Sequence, residues 1–190
     1  MKKLLIIFVC IVFIQNTLAQ TTKTSITKKT IGGGLAYGDR INSIGLNVTG
    51  QYFINKQIAI APAFTYYFPS NVNSRYTGYD DYKRTWMEIN VDGNYYPDLD
   101  LVKGKLHPYG IAGVSYAIIG YPYYTYVYDD VENRHYYKYS DGKSGKIGLN
   151  VGAGASFDID KNFTPFAQIK YTVINSYGQA QLLVGLRIEL

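Results

Sequence analysis

Cysteine is nearly absent: Cys10 is the only one in 190 residues, and it sits inside an apolar N-terminal run. A disulfide framework is excluded, and once that run is removed no thiolate metal ligand remains. Histidine is almost as scarce. His107 and His135 fall at the start of one strand and near the tip of the following loop, tens of ångströms apart at strand spacing, so they form neither a shared metal site nor a dyad. Charged residues make up 17% of the chain, and the formal charge of +5 drops to +3 without Lys2 and Lys3, too small an excess to indicate nucleic acid. The apolar run Leu4–Ile14 is too short for a membrane-spanning helix, which needs about 20 residues. Gly32-Gly33-Gly34 lies within a strand pattern and not at a strand-to-helix turn, which excludes a phosphate cradle. The acidic pairs Asp80-Asp81 and Asp129-Asp130 lack EF-hand spacing. No catalytic residue, cofactor or metal ligand is therefore assigned.

What is abundant is tyrosine and glycine, 21 and 19 residues, with 8 phenylalanines. Aromatic residues favour strands and glycine favours turns and close strand approach, so the expected class is all-β. The chain divides into three parts. Lys2 and Lys3, the apolar run, and the small residues Thr17 and Ala19 read as a secretory signal peptide over residues 1–19. Residues 20–29, rich in Thr and Lys, read as a flexible lead-in, and residues 30–190 as one domain.

That domain repeats one pattern, period-two alternation between turn-forming residues. Eight segments are expected: about 30–38, 44–54, 58–68, 86–96, 107–120, 146–158, 163–174 and 180–190. The last is the clearest, with Ala180, Leu182, Val184, Leu186, Ile188 and Leu190 apolar and Gln181, Leu183, Gly185, Arg187 and Glu189 between them. Pro62 disturbs the third segment, since proline cannot donate to a ladder. The fifth has apolar residues and glycine in both registers, so its facing is open. Long connections fall only after the third and fifth segments, hence on one end of the sheet, as in outer-membrane barrels.

Alternation alone does not say which face is out. The polar face here is Gly, Ala, Ser, Asn, Thr and Gln with a few charges, suited to a narrow lumen and unlike the Lys and Glu surface of a soluble barrel. Tyr52, Tyr66 to Phe68, Tyr95, Tyr96, Tyr109, Phe157 and Phe163 stand at strand ends, where interfacial girdles belong. The expected fold is an eight-stranded antiparallel up-and-down transmembrane β-barrel with its apolar face toward outer-membrane lipid.

Signal peptide, eight alternating segments, glycine-rich inner face and apolar final strand resemble the small OmpA-like and OmpX-like outer-membrane β-barrels of Gram-negative bacteria. In that resemblance Gly185, Ile188 and Leu190 match the signal read by the barrel assembly machinery, although Leu183 replaces a polar residue and Leu190 the commoner terminal Phe. It implies an outer-membrane location and insertion by that machinery.

Two groups of residues carry functional expectations. Glu88, Asn90, Asp92, Asn94, Asn150, Gln168, Lys170, Arg187 and Glu189 should share the lumen, with charges paired because unpaired buried charge is costly. Tyr123, Tyr124, Tyr126, Tyr128, Tyr136, Tyr137 and Tyr139 flank an acidic turn and suggest that the fifth and sixth strands continue outward as a hairpin. Tyrosine gives a large contact area at low rotamer cost, so these residues form a candidate binding surface for an extracellular ligand. The expected role is structural or adhesive, monomeric and without catalysis. The alternatives are a narrow porin-like channel and a lipid-modifying enzyme.

Overall fold

The computed structural model describes residues 28–72, 82–99, 101–103, 105–129, 134–159, 162–174 and 177–190. The signal peptide at 1–19 and nearly all of the lead-in lie outside these residues, as does most of the acidic loop around Asp80 and Asp81. Eight strands follow in order: β1 (Lys29–Gly38), β2 (Ser43–Phe53), β3 (Ile58–Val72), β4 (Tyr82–Tyr95), β5 (Leu106–Asp129), β6 (Arg134–Phe157), β7 (Phe163–Ile174) and β8 (Tyr177–Glu189). Each pairs antiparallel with the next, and β8 pairs with β1 from Thr30↔Glu189 to Gly38↔Gln181, closing the barrel. Closure leaves no sheet edge, so every strand finds backbone partners on both sides.

The alternation in the sequence becomes an alternation of faces. On β6, Leu149 is 64% exposed and its neighbour Asn150 only 4%. Leu46, Val48, Ile89, Val91, Ile169, Val173, Leu182 and Val184 also point outward, while Asn47, Thr49, Asn90, Asp92, Thr172 and Gln181 are buried inside. The ambiguous strand β5 resolves the same way: Tyr109, Ile111, Ser115 and Ala117 face in, and Val114 and Tyr116 face out. β1, β2, β7 and β8 contain 10, 11, 12 and 13 residues, close to the 9–11 that a tilted strand needs to cross a bilayer.

Glycines fill the places where strands crowd the lumen. At Gly152 of β6 a Cβ would collide with the Ile169 carbonyl oxygen and stand 2.8 Å from Lys170 Cα. Pro62 is accommodated by a break in one ladder, which runs through Thr49↔Ala63 and resumes at Tyr52↔Ile60. At the tight β2–β3 turn, Asn55 Oδ1 accepts the backbone N–H groups of Gln57 and Ile58, both at 2.8 Å.

Four strands outrun their expected limits by four residues or more. β3 and β4 continue past an irregularity between Tyr67 and Ser70 to the pair Val72↔Tyr82. β5 and β6 reach much farther, in one unbroken register from Leu106↔Phe157 to Asp129↔Arg134.

Candidate functional site

The lumen is built in three levels. In the middle, Asp92 of β4 is the hub: its Oδ2 accepts from Lys170 Nζ of β7 at 3.1 Å and its Oδ1 from Asn150 Nδ2 of β6 at 2.6 Å. Asn150 Nδ2 also donates to Asn90 Oδ1 at 3.0 Å, and Asn150 Oδ1 accepts from the Thr172 hydroxyl at 2.8 Å. Lys170 and Asp92 are 2% and 6% exposed as side chains. Their pairing meets the condition for tolerating charge in a dry interior.

Toward the outer end, Glu88 Oε1 accepts from Trp86 Nε1 at 2.8 Å and from Gln179 Nε2 at 3.0 Å, and Gln181 Nε2 donates to the Tyr67 hydroxyl at 2.5 Å. Trp86 and Tyr67 pack with Ile41, Ile174, Ala36, Ala117, Leu183 and Phe166 in one apolar cluster. Ile41 comes from the β1–β2 connection, folded inward and only 3% exposed. Asp39 ties that connection to β8: its Oδ1 accepts the Ala180 N–H at 2.7 Å.

Toward the inner end a second cluster, Ala59, Tyr96, Tyr109 and Ile111, packs with Phe53. Gln51 Nε2 donates to the Tyr96 hydroxyl at 2.8 Å, and the Tyr109 hydroxyl donates to Gln168 Oε1 at 3.1 Å. Tyr67, Tyr96 and Tyr109, expected in the girdles, therefore turn into the lumen. Strand ends on the inner register look the same in sequence as strand ends on the outer one. Tyr52, Tyr95, Phe68, Phe157 and Phe163 do face outward, and Tyr66 meets Phe68 edge-on at 6.0 Å.

Of the residues expected in the lumen, Glu88, Asn90, Asp92, Asn94, Asn150, Lys170 and Arg187 are buried there, and Gln168 is half-buried. Arg187 departs from the expected pairing with a carboxylate. Its guanidinium carbon stands 3.8 Å from the Phe166 ring centre, and Nη2 donates to the Tyr109 hydroxyl at 3.2 Å. Glu189 is a correction. It lies at the inner rim, its side chain 40% exposed, and pairs at 2.9 Å with Lys28, because the last residue of a strand passes out of the lumen. Gln179, Gln181, Asn47 and Thr65 belong to the interior and were not singled out from sequence, although all four sit on the alternating polar register. Trp86 shares the inward register of Glu88, Asn90 and Asp92 but is not polar, and Ile41, in a turn, had no such signal.

At the inner rim His107 Nε2 lies 2.9 Å from Asp158 Oδ2, and Thr164 donates to the other oxygen of Asp158 at 3.2 Å. The hydroxyl thus meets the carboxylate and not the imidazole, the wrong order for a base activating a nucleophile. His135 pairs with Tyr128, far along β5 from His107, about 70 Å at strand rise. Among the described residues no group of acidic, His or Cys side chains is arranged to hold a metal.

The outer hairpin is present as a ribbon. β4 stops pairing with β5 at Thr85↔Gly120, whereas β5 and β6 continue from Tyr121↔Gly142 to Asp129↔Arg134, about 30 Å at strand rise. All seven tyrosines named above lie on it. Gly185 and Ile188 of the expected assembly signal lie on β8, paired with Gly34 and Ile31 of the closing β1, and Leu190 N–H donates to the Lys29 carbonyl at 2.9 Å.

No protein-family model and no curated protein matches the chain. Solved structures do. The N-terminal β-barrel domain of Pseudomonas aeruginosa OprF has 16% identity and a TM-score of 0.61, covering 86% of this chain and 98% of that one. A major outer membrane protein from Thermus thermophilus has 12% identity and a TM-score of 0.65, covering 87% and 100%. Ail, the attachment invasion locus protein of Yersinia pestis, has 14% identity and a TM-score of 0.56, covering 86% and 99%; it has also been solved with the heparin analogue sucrose octasulfate. A barrel with its apolar face outward and its polar face sealed inside is suited to hydrocarbon and not to water. The chain thus has the fold of the eight-stranded outer-membrane β-barrels.

Proposed function

We propose that the protein is a monomeric, non-catalytic outer-membrane barrel that serves as a rigid mount for a surface-binding ribbon, the outer half of β5–β6. The observation that carries this is the ribbon itself, nine register pairs extending past the last β4–β5 pair and dense in tyrosine. A two-stranded ribbon is marginal in water by itself. Here it grows from a closed barrel in unbroken register, so the membrane domain supplies its stability. Ail, a neighbour in fold, is named for attachment, which accords with an adhesive role. Delivery by a cleaved leader and insertion by the barrel assembly machinery belong to the same reading.

The lumen supports the mount against the channel. Aromatic clusters at both levels and the Asp92–Lys170–Asn150 network between them occupy the interior that eight strands can only just enclose.

Excision of residues 124–139 with a short turn in their place tests the reading. Folding, followed by the gel shift on boiling, should persist, while adhesion of cells carrying the protein should fall to the level of cells without it. Undiminished adhesion contradicts the proposal.

A further inference from the structure

Above the barrel the β5–β6 ribbon regains the two edges that closure removes below. β4 leaves β5 at Thr85↔Gly120 and β7 leaves β6 at Gly148↔Ile174, while β5 and β6 stay paired to Asp129↔Arg134. The β7–β8 connection is too short to cover the β6 edge. Only residues 175 and 176 lie between Ile174 and Tyr177, whereas the edge from Gly145 to Tyr137 rises about 25 Å.

Proline placement fixes which backbone groups turn to the edges. Pro122 has no N–H, yet it pairs with Asp141 in an unbroken ladder, so these two residues turn their N–H and C=O groups away from each other. That role alternates along an antiparallel pair. Even residues of β5 and odd residues of β6 therefore face the edges. Pro165 gives the same parity independently: it pairs with Leu186 of β8, so odd residues of β7 face β6, where odd meets odd at Leu149↔Val173 and Val151↔Tyr171.

The two edges differ. On β5 the first edge position past Gly120 is Pro122, which has no donor, and β4 parts there. On β6, Tyr137, Tyr139, Asp141, Lys143 and Gly145 each turn an N–H and a C=O to the edge, and among the described residues no backbone group meets them. A donor and an acceptor recurring about every 7 Å match another strand, and an edge without proline is a template for one.

Charge selects the occupant. The sequence from 137 to 146 holds Lys138, Lys143 and Lys146 against Asp141, while Asp129, Asp130 and Glu132 fall at the tip beyond this stretch. A second copy of the edge would set like charges against one another, whereas an acidic strand is attracted.

We propose that the β6 edge from Tyr137 to Gly145 takes an acidic, extended polypeptide segment of an extracellular partner as an added β-strand. This deepens the surface-binding reading of the ribbon and rests on it.

The full chain in phosphatidylcholine nanodiscs is titrated with a fluorescent peptide of alternating Glu and Thr, with the same peptide N-methylated at every residue, and with its Lys-Thr counterpart. Only the first should bind. Tyr139→Pro with Lys143→Pro removes edge donors without touching the β5–β6 ladder and should weaken binding about tenfold or more. Tyr124→Pro with Tyr126→Pro, the same change on the β5 edge, should leave it unchanged. In hydrogen exchange the amides of Tyr139, Asp141 and Lys143 should be fast in the free chain, faster than those of Lys138, Ser140 and Gly142, and slow when the peptide is added. Every variant is first checked for the gel shift on boiling and for the slow amides. Where proline disrupts the ladder, Lys138→Glu with Lys143→Glu and Lys146→Glu serves instead, and should move the preference to the Lys-Thr peptide. Equal binding of the N-methylated peptide, undiminished binding in the β6 variants, or edge amides already as slow as their neighbours overturns the inference. Adhesion of cells separates the two levels. If excision of 124–139 abolishes it but Tyr139→Pro with Lys143→Pro does not, strand addition alone is defeated; if excision leaves it intact, the surface reading falls and the inference with it.

Discussion

Lys170 Nζ and Asp92 Oδ2 meet at 3.1 Å across the lumen, from β7 and β4, with both side chains almost fully buried. Removing one member leaves the other charged and alone, at a cost of about 3–5 kcal/mol. Asp92→Ala should therefore lower unfolding stability in urea by that order, and Asp92→Leu combined with Lys170→Met should recover most of the loss. A single substitution costing no more than the double one would show that the pair does not hold the middle of the lumen.

Glycine placement gives a contrast that composition cannot. A Cβ at Gly152 collides with the backbone of β7, while at Gly110 nothing lies within 4 Å. Gly152→Val should cost about 1–3 kcal/mol by overpacking, and Gly110→Val, on the outer face, should be neutral or mildly stabilising. Urea unfolding in lipid vesicles compares the two.

The lipid face should respond to charge by depth. Val184 lies mid-strand on β8 and faces out, so Val184→Arg should cost about 2–4 kcal/mol, and Leu190→Arg at the rim about 0–1 kcal/mol. Ile188→Asp alters the assembly signal and should reduce the folded yield in cells. From the sequence pattern alone Leu183→Gln should be tolerated because the residue lies on the inner face; its surroundings in the structure give a different expectation. Leu183 is 1% exposed within the outer apolar cluster, so the amide loses partners there, costing about 1–3 kcal/mol.

A filled lumen should be electrically silent. Planar-bilayer recording of the full chain should show no discrete openings; steady, reproducible channels would mean that the two aromatic clusters do not close the interior.

Much of this was legible in the sequence because a closed barrel converts period two directly into inside and outside. Ile147, Leu149 and Val151 against Gly148, Asn150 and Gly152 needed no further information. The legible part ended where alternation lost its chemical contrast. On β5 glycine and apolar residues occupy both registers, and only pairing with β4 and β6 sets the facing. Along the ribbon tyrosine occupies both odd and even positions in the sequence, so its length emerges from register alone. Glu189 shows a limit of another kind: its parity is inward, but its position at the strand end lets it reach Lys28 and water. Ile41 lies in a turn, where no periodicity exists to mark an inward residue.

The central claim is that apolar residues face lipid and polar residues face a sealed lumen. It is tested most directly by nitroxide scanning from 46 to 49 in a background lacking Cys10, the only native cysteine. Collision with lipid-soluble oxygen should be high at 46 and 48 and low at 47 and 49, with little access for a water-soluble nickel chelate at any of the four. Chelate access at the even positions, or loss of the alternation, would contradict the claim.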